Sequence, residues 1–186
     1  AVWLSPERLS PYKFYQYMVQ STDADVVRFM RMLTFVPLAE IEAIEAGMSA
    51  EGYVPNTAQK RLAEEVTRFV HGAAGLEQAL KATEGLKPGA DTVLDAATLE
   101  ALAGDIPTAD LARDEVVGKT VVDVMAATGL QKSKGEAKRM IKGGGARLNN
   151  VKVGDEEATI GEEDVIEGRV LLLAAGKKNK LLVRVV

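Results

Sequence analysis

Three consecutive glycines, Gly143-Gly144-Gly145, restrict the possible folds of this chain more than any other feature. A helix does not run through them, because each glycine in a helix interior is less favourable than alanine by about 1 kcal/mol. Upstream, Ser133 and Glu136 have the S-x-x-E spacing of a capping box, which predicts a helix opening there and closing at the glycines. At about 100° per residue, Lys134, Lys138 and Lys142 fall on one stripe of that helix, while Ala137, Met140 and Ile141 occupy the neighbouring arc and pack inward. Downstream, Arg147-Leu148 and Val151-Lys152 flank Asn149-Asn150, a pair suited to a tight hairpin. The stretch from Gln131 to Val153 therefore reads as a helix, a sharp stop and a hairpin. It carries seven basic residues (Lys132, Lys134, Lys138, Arg139, Lys142, Arg147 and Lys152) against one acidic residue, Glu136. Three lysines alone would be a solvated face. With the glycine run and the cationic hairpin beside them, they make a shape suited to a phosphate backbone.

The charge of the whole chain hides this. Residues 1–130 hold 11 basic and 19 acidic residues, a net of −8, and residues 131–186 hold 12 basic and 8 acidic, a net of +4. An acidic body with a basic end argues for a directed polyanion contact rather than indiscriminate binding. There is no cysteine, which excludes disulfides and thiolate chemistry, and a single histidine excludes a multi-histidine metal site. No apolar run approaches the roughly 20 residues that span a bilayer, so no membrane partner is expected. The sequence shows neither a signal-peptide nor a transit-peptide pattern and does not begin with methionine, which reads as a piece of a longer chain.

In chain order, Ser10-Pro11 opens a helix rich in aromatics (Tyr12, Phe14, Tyr15, Tyr17, Met18), read as core rather than as a stacking platform. Thr22 to Asp25 caps a second helix with Val26, Phe29, Met30 and Leu33 inward; Arg28 and Arg31 lie off that line. Pro37 opens a third, with Leu38, Ile41 and Ile44 buried and Gly47 closing it. Residues 57–71 form the strongest helix, with Leu62, Val66, Phe69 and Val70 facing in and Glu64 and Glu65 solvated. His71 is read as an imidazolium favoured by the helix C-terminus, not as a catalyst. A short helix follows over Leu76–Glu84. Lys87 to Thr92, with Pro88-Gly89, reads as a linker, and Asp95 caps a small helix through Leu99 and Leu102. Residues 121–129 form another helix, and Val170–Leu173 and Leu181–Val186 a hairpin across Gly176-Lys177-Lys178-Asn179. The fold class is α+β: an all-α domain over 1–85, a linker over 86–115, and a small α+β domain over 116–186.

Residues 119–153 resemble the αL RNA-binding motif, the two-helix and hairpin fold shared with a small-subunit ribosomal protein and some pseudouridine synthases. The first half narrows this. Trp3-Leu4-x-Pro6, the SPYKFYQY of residues 10–17, Asp23-x-Asp25-Val26, Arg28-Phe29 and Leu33-Thr34-Phe35 resemble bacterial-type tyrosyl-tRNA synthetase just beyond its KMSKS-like loop. Glu64-x-Val66-Thr67-Arg68-x-x-His71-Gly72 is similar to that family's helical anticodon-binding region, and Gly168-Arg169 with Gly176-Lys177-Lys178 to its C-terminal end. The resemblance covers essentially all 186 residues, in order. Two positions depart from it: Ala174-Ala175 stand where arginines often precede the Gly-Lys-Lys turn, and Gly135 stands where a basic residue is common.

What the resemblance implies is the tRNA-binding C-terminal part of a tyrosine–tRNA ligase. The helical domain would lie near the anticodon stem and the C-terminal domain on the long variable arm of tyrosine tRNA. The whole enzyme, a homodimer, would use ATP and magnesium in a catalytic domain that precedes this segment. No catalytic and no metal-binding residue is expected here, and the isolated chain should be inactive. The RNA-binding candidates are Lys132, Lys134, Lys138, Arg139, Lys142, Arg147, Lys152, Lys177 and Lys178. The expected compartment is a chloroplast or mitochondrion, with bacterial cytoplasm as the alternative. From another class, a stand-alone RNA-binding or ribosome-associated adaptor derived from a synthetase fits the same basic stretch. A protein-interaction module on the acidic helical face has no motif behind it.

Overall fold

The computed structural model describes residues 2–87, 89–90 and 95–186. Of the linker expected over Lys87–Thr92, Pro88, Asp91 and Thr92 lie outside the described residues. Contacts divide the chain into two units, Ala1–Leu80 and Lys81–Val186, each with its own apolar core.

The first unit is helical. Helix α1 (Pro11–Val19) opens with Ser10, whose hydroxyl accepts from the Lys13 amide at 3.1 Å, and with proline at the first position. Helices α2 (Asp23–Leu33) and α3 (Leu38–Gly47) follow, then α4 (Thr57–Gly85). The core joins Phe14, Tyr15 and Met18 of α1 to Val26, Val27 and Met30 of α2, Ile41 of α3, and Leu62, Val66 and Leu76 of α4. Helix α4 is two helical segments joined at Gly72, whose φ of 73° and ψ of −179° lie in a region that only glycine enters without strain. The sequence expectation of separate helices over 57–71 and 76–84 reflects this kink.

Four expected core positions are exposed, Tyr17 of α1 among them. Phe69 is 67% accessible and meets the still more exposed Phe35 edge-to-face, with ring centroids 5.3 Å apart; Leu38 and Leu33 also face solvent. The reason in α4 is that Gln59 and Thr67 are buried, which rotates the inward arc away from Phe69. His71 also differs. It sits edge-on to Phe14 with centroids 5.0 Å apart, and its Nε2 is buried without a hydrogen-bond partner. Burial pushes its pKa down, so it packs as a neutral ring instead of serving as a cation at a helix end. Gly75 makes room for it, since a Cβ there would lie 2.5 Å from that of His71.

The second unit takes in the last residues of α4, from Lys81, and then α5 (Ala96–Ala101), capped by Asp95, whose carboxylate accepts from the Thr98 amide at 2.7 Å. Strand β1 (Thr108–Leu111) leads to α6 (Val121–Ala127) and α7 (Lys134–Lys142). Strands β2 (Ala146–Leu148), β3 (Val151–Lys152), β4 (Val170–Ala175) and β5 (Asn179–Val185) complete the unit. The five strands form one sheet in the order β1-β5-β4-β2-β3, antiparallel except for the β1–β5 pair. Val121, Met125, Ala137 and Ile141 of the helices pack with Leu148, Leu171, Leu173, Leu181 and Val183 of the sheet. Strand β4 is buried along its whole length, and α5 contacts it, which accounts for the unbroken run Val170-Leu171-Leu172-Leu173-Ala174-Ala175.

The stretch expected as a linker over 86–115 differs from that expectation. It contains α5 and β1, and the division between units falls ahead of it, between Leu80 and Lys81. Strand β1 escapes a local reading because it is four residues long and draws its hydrogen bonds from a strand some seventy residues later. Thr108 pairs with Leu182 and Asp110 with Arg184, and the Arg184 guanidinium holds the Asp110 carboxylate at 2.6 and 3.1 Å.

Candidate nucleic-acid interface

The expected basic helix is α7. Ser133 caps it, its hydroxyl accepting from the Glu136 amide at 3.2 Å, while the Glu136 carboxylate accepts from the Lys132 amide at 3.2 Å, one residue earlier than in an ideal capping box. At the far end Gly144 has a φ of 70°. Its amide donates to Ile141 O at 2.8 Å, and the Gly145 amide to Met140 O at 2.9 Å. This pair of bonds is a Schellman stop, and it satisfies the last carbonyls of the helix. Ala137 and Ile141 are buried as expected, but Met140 is only partly so, its sulfur lying over Gly145.

The hairpin is also present. Arg147 pairs with Lys152 and Leu148 with Val151, leaving Asn149-Asn150 as a two-residue turn with φ of 48° and 68°. The sequence did not reveal the second role of these asparagines. Asn149 exchanges bonds with β4, its amide reaching Leu172 O at 2.8 Å and its side-chain oxygen accepting from the Leu172 amide at 2.9 Å; its Nδ2 donates to Asp164 O at 2.6 Å. The buried Asn150 donates to Gly85 O.

All nine candidate cations lie in the second unit. Lys177 and Lys178 occupy the turn between β4 and β5, and the Gly176 amide ties that turn to Gly145 O at 2.8 Å. Lys180, absent from the sequence-based set, braces the same turn by donating to Lys177 O at 3.0 Å, and burial lowers its pKa. The candidates nonetheless fall into two electrostatic sets. The stripe lysines are paired: Lys134 with Asp123 at 2.7 Å, Lys142 with Glu156 at 2.9 Å, and Lys138 with Glu157 at 3.4 Å and Glu156 at 3.7 Å. Hydrogen bonds from Lys134 and Lys142 hold Asp123 and Glu156 below the usual carboxylate range. Among the described residues Lys132, Arg139, Arg147, Lys152, Lys177 and Lys178 make no ion pair. The sequence could not show this division, because the acids come from α6 and from the loop after β3.

Among the described residues no group of His, Cys, Asp and Glu side chains could hold a metal ion, and no helix is long and apolar enough to cross a membrane.

Comparison with known proteins gives this arrangement its context. Residues 1–86 match the model of the class I tRNA synthetases of the W and Y group, and residues 98–183 match that of the SYY-like C-terminal domain of tyrosine–tRNA ligase. The two matches together make the chain similar to a segment of a class I aminoacyl-tRNA synthetase, helical in its first unit and α+β in its second. More particularly, its matches are bacterial and organellar tyrosine–tRNA ligases, and it is similar to their C-terminal portion. It is 56% identical over 185 residues to the chloroplastic/mitochondrial tyrosine–tRNA ligase of Arabidopsis thaliana, a match covering 100% of this chain and 36% of that one. It is 50% identical over 184 residues to the tyrosine–tRNA ligase of Protochlamydia amoebophila, covering 99% and 43%. A C-terminally truncated mitochondrial tyrosyl-tRNA synthetase of Coccidioides posadasii aligns at 38% identity over 44% of this chain and 22% of that one, with a TM-score of 0.40. The chain thus spans less than half the length of the curated relatives it matches.

Proposed function

We propose that this chain grips tyrosine tRNA on behalf of a tyrosine–tRNA ligase. The whole enzyme, a homodimer, activates tyrosine with ATP and magnesium and passes the tyrosyl group to the tRNA. In this reading the second unit contacts the long variable arm and the helical unit lies near the anticodon stem. The observation that carries it is the set of nine basic side chains on and just before α7, on the β2–β3 hairpin and on the β4–β5 turn, in a segment matching the ligase C-terminal domain. Phosphate contacts supply affinity on such a surface, while on RNA specificity comes from shape and unpaired bases. Two units on one chain raise each other's effective concentration on a single structured RNA. Identity to the plant organellar ligase supports a chloroplast or mitochondrion as the compartment, although bacterial relatives also match along the chain. The test is twofold. Purified chain binds tyrosine tRNA in a gel-shift or anisotropy titration, and it gives no tyrosine-dependent ATP–pyrophosphate exchange. Failure to bind tyrosine tRNA above an unrelated tRNA removes the assignment.

A further inference from the structure

We propose that RNA crosses the second unit along the glycine turn at the end of α7, through Arg139, Lys152, Arg147 and the Lys177–Lys178 turn, and that the lysine stripe of the same helix is closed to it. The inference deepens the tRNA-binding reading and rests on it.

Three observations converge on the glycine turn. Arg139, Gly143 and Gly145 line one open cleft of about 300 Å³, and the carboxylate that lines it, Glu136, is turned to the Lys132 amide. The Lys152 side chain reaches Gly144, where a Cβ would lie 2.7 Å from its Cε and Nζ. The Gly176 amide, bonded to Gly145 O, fastens the Lys177–Lys178 turn beside them. Cations from a helix, a hairpin and a second turn are thus gathered around backbone that carries no side chain, and a phosphate chain can approach it closely. The Schellman bonds satisfy two of the carbonyls at the helix end, Met140 O and Ile141 O, and so lessen the repulsion of an anion there.

The hairpin also favours an anion electrostatically. Arg147 and Lys152 stand directly opposite each other on an antiparallel pair, where like charges are unfavourable, and neither has a carboxylate partner among the described residues. Arg147 Nε is also buried without an acceptor. A polyanion lying across the pair relieves the like-charge opposition. The stripe has the opposite character. Three lysines face three carboxylates, Asp123, Glu156 and Glu157, so that surface is locally neutral and offers a phosphate little net attraction. The loop carrying Asp155, Glu156 and Glu157 then acts as a specificity element, keeping a second, non-productive RNA path shut.

Salt dependence separates the two sets, because each phosphate contact adds roughly 0.7 to 1 to the slope of log affinity against log salt. Tyrosine tRNA binding by the 186-residue chain is titrated at several salt concentrations with two groups of variants. The first group is Arg139→Gln, Lys152→Thr, and Lys177→Ala with Lys178→Ala. The second deletes whole ion pairs without changing net charge: Asp123→Asn with Lys134→Gln, and Glu156→Gln with Lys142→Gln. The expected result is a lower slope for each member of the first group and an unchanged slope for the second. Lys152→Thr should also melt no lower than the unmodified chain, because its opposed pair is gone. Pair deletions that lower the slope as much as Arg139→Gln would overturn the inference while leaving the tRNA-binding reading intact. So would binding by the unmodified chain with no slope change in the first group, or a Lys152→Thr variant that loses fold and binding together. An unmodified chain without salt-dependent tRNA binding removes the RNA reading itself.

Discussion

Gly144 illustrates how much a single position can carry. Its φ of 70° is one that side-chain-bearing residues adopt at a penalty of about 1–2 kcal/mol, and a methyl group there would also press on Lys152. Gly144→Ala is therefore expected to lower stability by about 1–2 kcal/mol in urea denaturation and, by displacing Lys152, to weaken RNA binding as well. His71 makes a prediction about acid. Its ordinary pKa is 6.5, and burial beside Phe14 holds the folded value lower, so the unfolded chain takes up the proton first. Its contribution is fully present above pH 6.5 and declines as pH falls through 6.5 towards the folded value. Melting temperatures between pH 8 and pH 5 should fall on the acid side, and His71→Leu should flatten that fall; an unchanged profile would mean the ring is protonated in place. The sequence placed His71 correctly in the last turn before Gly72 but assigned it the opposite charge state. The partner that decides the matter, Phe14, lies on another helix.

Among the elements, those defined by local chemistry were legible and those defined by distant partners were not. The caps at Ser10, Asp95 and Ser133, the glycine stop of α7 and the Asn149-Asn150 turn all follow from residues within four positions of one another. Strand β1 does not, and neither do the acids that pair with the α7 stripe. The rotated inward face of α4 was hidden because its buried arc includes Gln59 and Thr67, polar residues that a count of apolar positions skips. The hairpin turn gives a direct test. Asn149→Gly keeps the positive φ but leaves the Leu172 amide without its side-chain acceptor, so a loss of about 1–3 kcal/mol is expected in urea denaturation. A neutral result would mean that the turn matters only for its backbone shape. In α4, Gly72→Ala meets no steric neighbour, yet its backbone angle alone should destabilise the fold by about 1–3 kcal/mol.

For the whole molecule, two separate cores imply two separable transitions. The sole tryptophan, Trp3, lies in the first unit, so its fluorescence follows that unit alone, whereas far-ultraviolet circular dichroism follows both. Guanidinium denaturation is expected to give non-coincident curves from the two probes, and coincident curves would show one cooperative body. The pairing of β5 carries a further consequence for how the chain is made. Strand β5 lies between β1 and β4 in the sheet although it is the last of the five in sequence. A ribosome releases residues in order at about 5–20 per second. Strand β1 therefore waits several seconds for its neighbour, while the apolar β4 presents an open edge. The first unit can collapse in the meantime, because its core ends before β1 begins. The second unit cannot close its sheet until its final strand emerges, so a stalled or prematurely terminated nascent chain is where this protein is most exposed to aggregation and to chaperone capture.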